Sequence, residues 1–313
     1  MTGYILRRII STIPVMLIVA VIVFLMLRLT PGDPAAVIAG DNASPQDIAT
    51  IRASLGLDQP ILFQFVHWLG GILTGDFGQS FFFKKKVSEL VADRIEPTLA
   101  LAIGTIIIAV VVAVPLGILA AARRGSLLDR VVMGFSVLGF SVPVFVIGYA
   151  LDYLFAIQLG WLPVQGYQRI ADGFGGFVWR LVLPCVTLAI VYIALVARMT
   201  RTSLLEVLGE DYIRTAKAHG LGRLAVLVRH ALPNAAVPIV TVIGLGIAVL
   251  IGGVVVTESV FAIPGLGRLT VDAVLARDYP TVQAVILLFS LVYVLINLLI
   301  DIAYTILDPR IRY

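Results

Sequence analysis

An all-helical membrane protein of about six spans is what this sequence predicts, on three observations. Of its 313 residues, 60% are hydrophobic and 13% charged, against roughly 25% charged in a soluble domain. The mean hydropathy is +1.03. The apolar residues fall in long uninterrupted runs, which one soluble core cannot absorb and which hydrocarbon accepts without a polar face.

The spans follow in order. Crossing about 30 Å of hydrocarbon takes about 20 apolar residues. The qualifying runs are Ile9–Leu27, Pro97–Ala122, Val131–Leu151, Leu181–Ala197, Ala231–Thr257 and Tyr279–Ile300. The fourth is short, with Trp179 and Arg180 available as interfacial anchors. The fifth has Pro233 and Pro238 at its start and is expected to include part of a loop. Pro14, Pro115 and Pro143 lie inside spans, where neighbouring helices or water can satisfy the freed carbonyls. Arg7 and Arg8 ahead of the first run resemble the start of a signal peptide. That run exceeds the 7–15 residues typical of such a segment, so a retained helix is the expectation.

Basic residues orient the spans. Arg7 and Arg8, then Arg123, Arg124 and Arg130, then Arg198, Arg201, Arg214, Lys217, Arg223 and Arg229, and finally Arg310 and Arg312 fall on one side. Arg169, Arg180, Arg268 and Arg277 fall on the other. Both termini are therefore expected in the cytoplasm. Lys84, Lys85 and Lys86 dissent from an outer loop, but long loops cross largely regardless of charge. The organisation expected is an N-terminal segment and first helix over residues 1–30, an extracytoplasmic loop over 31–96, and a five-helix core over 97–313. A cytoplasmic connection spans 198–233 within that core.

The outer loop is patterned. Ser44-Pro45-Gln46-Asp47 reads as a helix start, with serine as cap and proline in the first turn. Ile48, Ile51 and Leu55 line one face, and Gly56 stops the helix. Pro60 opens Ile61–Leu73, whose Phe63, Phe65 and Trp68 suit a segment at the lipid boundary. It serves as a cover for the bundle's outer rim, as a landing surface for an external partner, or as both.

Chemistry-bearing motifs are absent from the sequence. There is no phosphate-cradling Gly-x-x-x-x-Gly-Lys-Ser/Thr run, no His-Glu-x-x-His and no Gly-x-Ser-x-Gly. Cys185 is a single cysteine, so no intrachain disulfide forms. His67, His219 and His230 show no metal-ligand spacing. The formal charge of +4 invites a nucleic-acid reading only until the basic residues are seen beside apolar spans. Asp152, Glu258 and Asp301 are intramembrane candidates by default, here expected to be solvated at span ends or to cap helices.

With no energy source in the chain, attention falls on Arg198–Pro233. Met199–Leu208 continues span four inward. Asp211–Gly220 is then a short run of helix formers ended by glycine, mixing small with basic residues. Docking into a groove on another protein and an ordinary re-entry turn both fit that pattern.

A resemblance narrows the choice. Permeases of ABC transporters carry a cytoplasmic motif of Glu-Ala-Ala, three residues, Gly, nine residues, Ile, one residue and Leu-Pro. With its glycine on Gly220, the triplet falls on Arg214-Thr215-Ala216 and the ending on His230-Ala231-Leu232-Pro233. The departures at Arg214, Thr215 and His230 resemble the dipeptide/oligopeptide branch. So do Tyr4–Arg8, Pro31-Gly32-Asp33-Pro34, Leu55–Pro60, Gly75–Ser80, Glu258–Arg268, Arg277–Pro280 and Leu307–Tyr313.

The resemblance implies a type I importer permease fold in the cytoplasmic (inner) membrane. It implies alternating access in a pathway shared with a second, homologous permease, two cytoplasmic ATPases that bind ATP and Mg, and an extracytoplasmic binding protein. No cofactor or catalytic residue is implied in this chain. Asp211, Tyr212, Arg214, Thr215, Ala216, Lys217, Ala218, His219, Gly220 and Leu221 would form the helix that contacts an ATPase. Dipeptides or oligopeptides are the expected substrates, with nickel, glutathione and sugar oligomers as alternatives within the branch. Outside it, the alternatives are an ion-gradient-driven transporter or channel and an intramembrane enzyme; the latter lacks a constellation to act with.

Overall fold

The computed structural model describes residues 2–29, 33–40, 43–54 and 56–307. Pro31 and Gly32 of the expected turn, Leu55, and the closing Asp308–Tyr313 lie outside the described residues. The helices run α1 (Thr2–Leu29), α2 (Pro34–Ala39), α3 (Pro45–Ser54), α4 (Ile61–Leu73), α5 (Val87–Ala122), α6 (Leu127–Ser141), α7 (Val144–Leu151) and α8 (Phe174–Val207). Then come α9 (Asp211–Ala218), α10 (Arg223–Ala225), α11 (Leu232–Val260), α12 (Leu266–Leu275) and α13 (Tyr279–Leu307). Wide π turns occupy Asp152–Gln158 and Val226–Ala231. Among the described residues there is no strand, and an isolated antiparallel bridge joins Gln79 to Lys86.

Among the described residues five helices are long and apolar enough to cross a membrane, or six if the bent pair α6–α7 is one span. That bend corrects an expectation. Val131–Leu151 is not one continuous helix: α6 ends at Ser141 and the chain turns by 105°. The cause is local. Pro143 crowds the residue before it out of the helical region, and Val142 is extended at φ −94° and ψ 125°. Pro143 then starts α7 instead of sitting inside a span. The fifth span departs in the opposite sense. No loop precedes it, because α10, the π turn and α11 follow one another without a break from Arg223 to Val260.

The chain divides into two compact units. One comprises Pro97–Gly267 with Ile296 onward; the other comprises Thr2–Glu96 and Arg268–Leu295. In the first unit α8 is the central helix, buried along most of its length from Phe177 to Leu204. Lipid gives little hydrophobic drive for helix association, so close packing must come from small residues. α5 supplies them at four-residue spacing, with Thr105, Ala109, Ala113 and Gly117 buried in one stripe below Leu101. A methyl group on Gly117 would lie 2.6 Å from Thr200 Cβ, and one on Gly104 would lie 2.8 Å from Cys185 Sγ. Gly246 likewise receives the Tyr192 ring, whose hydroxyl donates to the Ile243 carbonyl.

In the second unit Ala20, Val23 and Leu287 form a core with Trp68, Leu69 and Ile72 of α4. The expected start of α3 is present. The Ser44 hydroxyl and amide donate to Asp47 Oδ2 at 2.7 and 3.0 Å, and the Asp47 amide donates back to Ser44 Oγ at 3.2 Å. Those bonds to Ser44 hold the Asp47 carboxyl below its ordinary range. Gly56 ends the segment at φ 61°. Two of the strings noted in the sequence meet in this unit: the Ser80 hydroxyl donates to Asp278 Oδ2 at 2.5 Å, and Thr281 donates to the same oxygen.

Candidate coupling site

The site begins at the inner end of α8. Beyond the apolar run, Thr200, Ser203 and Leu204 remain buried, so the helix stays packed as it leaves the span. Arg201 fixes its rotation. Its Nε and Nη2 donate to Asp129 Oδ1 and Oδ2 at 2.5 and 2.9 Å, the paired geometry that suits guanidinium to carboxylate. Asp129 is itself buried in the first turn of α6, where its amide donates to the cap residue Ser126 and Gly125 N–H donates to its carboxylate. Sequence reasoning missed this pair. Ser126-x-x-Asp129 is a capping signature, but nothing in it points to a partner 72 residues away.

After a turn at Gly209, α9 runs for two turns with Asp211 at its start, where an acid complements the helix dipole. Its inward face is Ile213 and Ala216, both buried. Ile213 is fully enclosed in a cluster with Ala121, Leu204, Val226, Ala231, Ala235 and Ile239. Asp211, Tyr212, Arg214, Thr215, Lys217, Ala218, His219, Gly220 and Leu221 are exposed. Of the ten residues singled out in the sequence, nine therefore share the open side and Ala216 faces the bundle. Arg214 pairs with Asp211 at 3.1 Å while both stay largely in solvent, an arrangement that adds little to stability. Partial burial and the Glu210 charge push the Tyr212 phenol up, leaving it a proton donor at neutral pH.

The helix ends on a complete C-terminal cap. Gly220 N–H donates to Lys217 O at 3.0 Å and Leu221 N–H to Ala216 O at 3.4 Å, the paired bonds of a Schellman motif. That motif puts its glycine in the left-handed region, and Gly220 has φ 79°. Leu232-Pro233 has an equally local reason. Proline cannot donate, and its ring collides with the carbonyl four residues back. The chain widens to a π turn over Val226–Ala231 just before it, and the Asn234 side chain donates to His230 O at 2.7 Å. Exposed apolar side chains continue beyond Leu221 to Leu224 and Val228, 70% and 44% exposed, which the sequence reading did not single out.

Two of the three intramembrane acids are more buried than expected. Glu258 is not solvated; it is fully buried. Thr98 Oγ1 donates to it at 2.5 Å and accepts from Leu266 N–H at 2.8 Å. Gly265 and Gly267 leave it room: a methyl on Gly265 would lie 2.0 Å from Glu258 Oε1. Asp152 is buried in the first π turn, and its Oδ1 has no hydrogen-bond partner among the described residues. Asp301 is half-buried. Among the described residues no group of histidine, cysteine and carboxylates could hold a metal ion.

The bundle is all-helical and packed through glycines, and comparison with known proteins gives its class. The family model described as binding-protein-dependent transport system inner membrane component matches residues 113–313, and its N-terminal counterpart matches residues 1–102. The chain belongs to this family, the permeases of ABC importers, and is a multi-pass inner-membrane protein. Among its relatives, a probable peptide ABC transporter permease of Sinorhizobium fredii is 57% identical over 310 residues, 99% of each chain. A glutathione transport system permease of Salmonella typhimurium is 47% identical over 313 residues, 100% of each chain. A chain of the inward-facing methionine ABC transporter superposes with a TM-score of 0.59 at 20% identity, covering 70% of this chain and 96% of that one. The fold is that of a type I importer permease.

Proposed function

We propose that this permease carries peptides, or a peptide-like molecule such as glutathione, and is driven through α9 by an ATPase subunit. The observation that carries the reading is the construction of α9. One face is anchored in the bundle through Ile213, and the other offers Tyr212, Arg214, Lys217 and His219 to a partner. A helix built this way moves with the spans it is packed on, so a push on its open face reaches α8 and α11. Differential contact of that face with the open and closed states of an ATPase pair would bias the bundle between its own two states.

ATP and Mg belong, on this reading, to two cytoplasmic ATPase partners. A second homologous permease completes the pathway, and an extracytoplasmic binding protein loads it. Relatives named for peptides and for glutathione support the substrate class. The test uses the purified complex. Replacing Tyr212, Arg214 and Lys217 together by serine leaves Ile213 and Ala216 in place. Transport into proteoliposomes should fall to background while the bundle keeps its melting temperature. Undiminished ATP-driven transport, or transport by the chain alone under an ion gradient, would overturn the assignment. The molecule retained by the co-purified binding protein identifies the substrate.

A further inference from the structure

We propose that the cavity at the end of α1, lined by Arg28, Asp33, Arg52, Asp58, Gln59 and Gln64, holds a phospholipid headgroup of the phosphatidylethanolamine type. The phosphate would lie on the arginines and the ammonium on the aspartates. The cavity measures about 460 Å³, within the range of small-molecule sites. It lies wholly within the second unit and owes nothing to the coupling helix.

Arg28 is held ready for an anion. Its guanidinium lies 3.5 Å from the Phe24 ring centroid. Nε and Nη2 donate to Gln64 Oε1 at 3.0 and 2.8 Å, and Nη1 donates to the Phe24 carbonyl at 3.1 Å. Gln64 is fixed in turn by donating to Gln59 O at 2.7 Å. These bonds occupy three of the roughly five N–H groups a guanidinium has. Burial brings Arg28 down to about 10, so it is still cationic at neutral pH. Arg52 reaches the same cavity from α3 and pairs with Asp33, the cap of α2. Two cations and two carboxylates suit a zwitterion better than a simple anion.

The surroundings decide between a lipid and a soluble ligand. Ile61, in the lining, is 56% exposed, and the apolar span of α1 ends at Met26, just before Arg28. Beneath the cavity Phe24 packs against Phe65 and Trp68 at 5.2 and 5.4 Å between ring centroids, an aromatic cluster of the sort found at headgroup level. A polar pocket just past the end of an apolar span lies at headgroup level, where a phospholipid presents its phosphate and ammonium. The orientation expected from the basic residues puts this lipid in the outer leaflet.

The test titrates the full chain in detergent with palmitoyl-oleoyl phosphatidylethanolamine and counts bound lipid by native mass spectrometry. One lipid should bind above background, and the double change Arg28→Gln and Arg52→Gln should weaken it about tenfold, the loss expected for charge-assisted bonds. Arg52→Gln alone should give a smaller, same-sign loss and keeps the test readable if Arg28→Gln does not fold. Excess inorganic phosphate or glycylglycine should not displace the lipid. Equal lipid retention by wild type and variants, or displacement by either soluble competitor, would overturn the proposal.

Discussion

The turn that ends α9 and the corner between α11 and α12 both depend on glycine, for opposite reasons. At Gly220 nothing lies within 4 Å of where a Cβ would be, and the constraint is the positive φ of 79°. At Gly265 and Gly267 the backbone makes no such demand, and the constraint is space, since a Cβ on the first would lie 2.0 Å from Glu258 Oε1 and one on the second 2.6 Å from Val255 Cα. One glycine shapes an exposed turn; the others let a buried acid fold back into its own corner. A short motif in a sequence does not reveal which of these it records. The distinction sets how far damage spreads: a conformational penalty stays in the turn, whereas a steric one displaces a buried carboxylate from its partner Thr98.

Substitutions can break that contrast. The largest effect is expected from Gly265→Ala, at about 3 kcal/mol, read as a fall in melting temperature and yield of the extracted protein. Combining it with Glu258→Ala should give less than the sum of the two losses, because both act on the same space. Additive losses would show that the carboxylate is not what the glycine accommodates. Next comes Ile213→Ala, at about 2.5 kcal/mol, toward the low end of the usual cost of truncating a core isoleucine. Here the loss should be local: faster hydrogen exchange in α9 and weaker binding of an ATPase, with the melting temperature of the bundle nearly unchanged.

Thr98→Val keeps the shape of the side chain and removes the donor to Glu258, at about 2 kcal/mol. Thr98→Ser should restore most of it, and failure of that rescue would shift the weight from the hydroxyl to packing. The smallest effect is expected at Gly220→Ala, at about 1 kcal/mol, seen as fraying of α9 with no change in global melting. A global loss there as large as at Gly265 would erase the contrast altogether.

Features carried by neighbouring residues were legible in the sequence. The Ser44 cap, Ile61–Leu73 as a helix opened by Pro60, and the glycine end of α9 all rest on bonds or φ values within a few residues. Pro143 shows the limit. Its effect on Val142 is a local rule, yet whether proline kinks a span or breaks it depends on what can satisfy the freed carbonyls, and here the helix turns by 105°. Asp129 with Arg201, and Ser80 with Asp278, were unreadable for a different reason, since their members lie 72 and 198 residues apart.

By itself, the sequence determined the membrane class, the approximate number of spans, their orientation as an expectation, and the segment to suspect of coupling. The first three follow from composition and periodicity, which the bilayer reads residue by residue; the last came from a resemblance to the ABC permease family. The tertiary structure alone decided that Ala216 faces the bundle while its neighbours face outward, that Glu258 is buried against Thr98, and that Arg28 and Arg52 share one cavity. Such placements depend on which surfaces meet when helices pack, and close packing is a property of pairs of elements that no single stretch of chain contains.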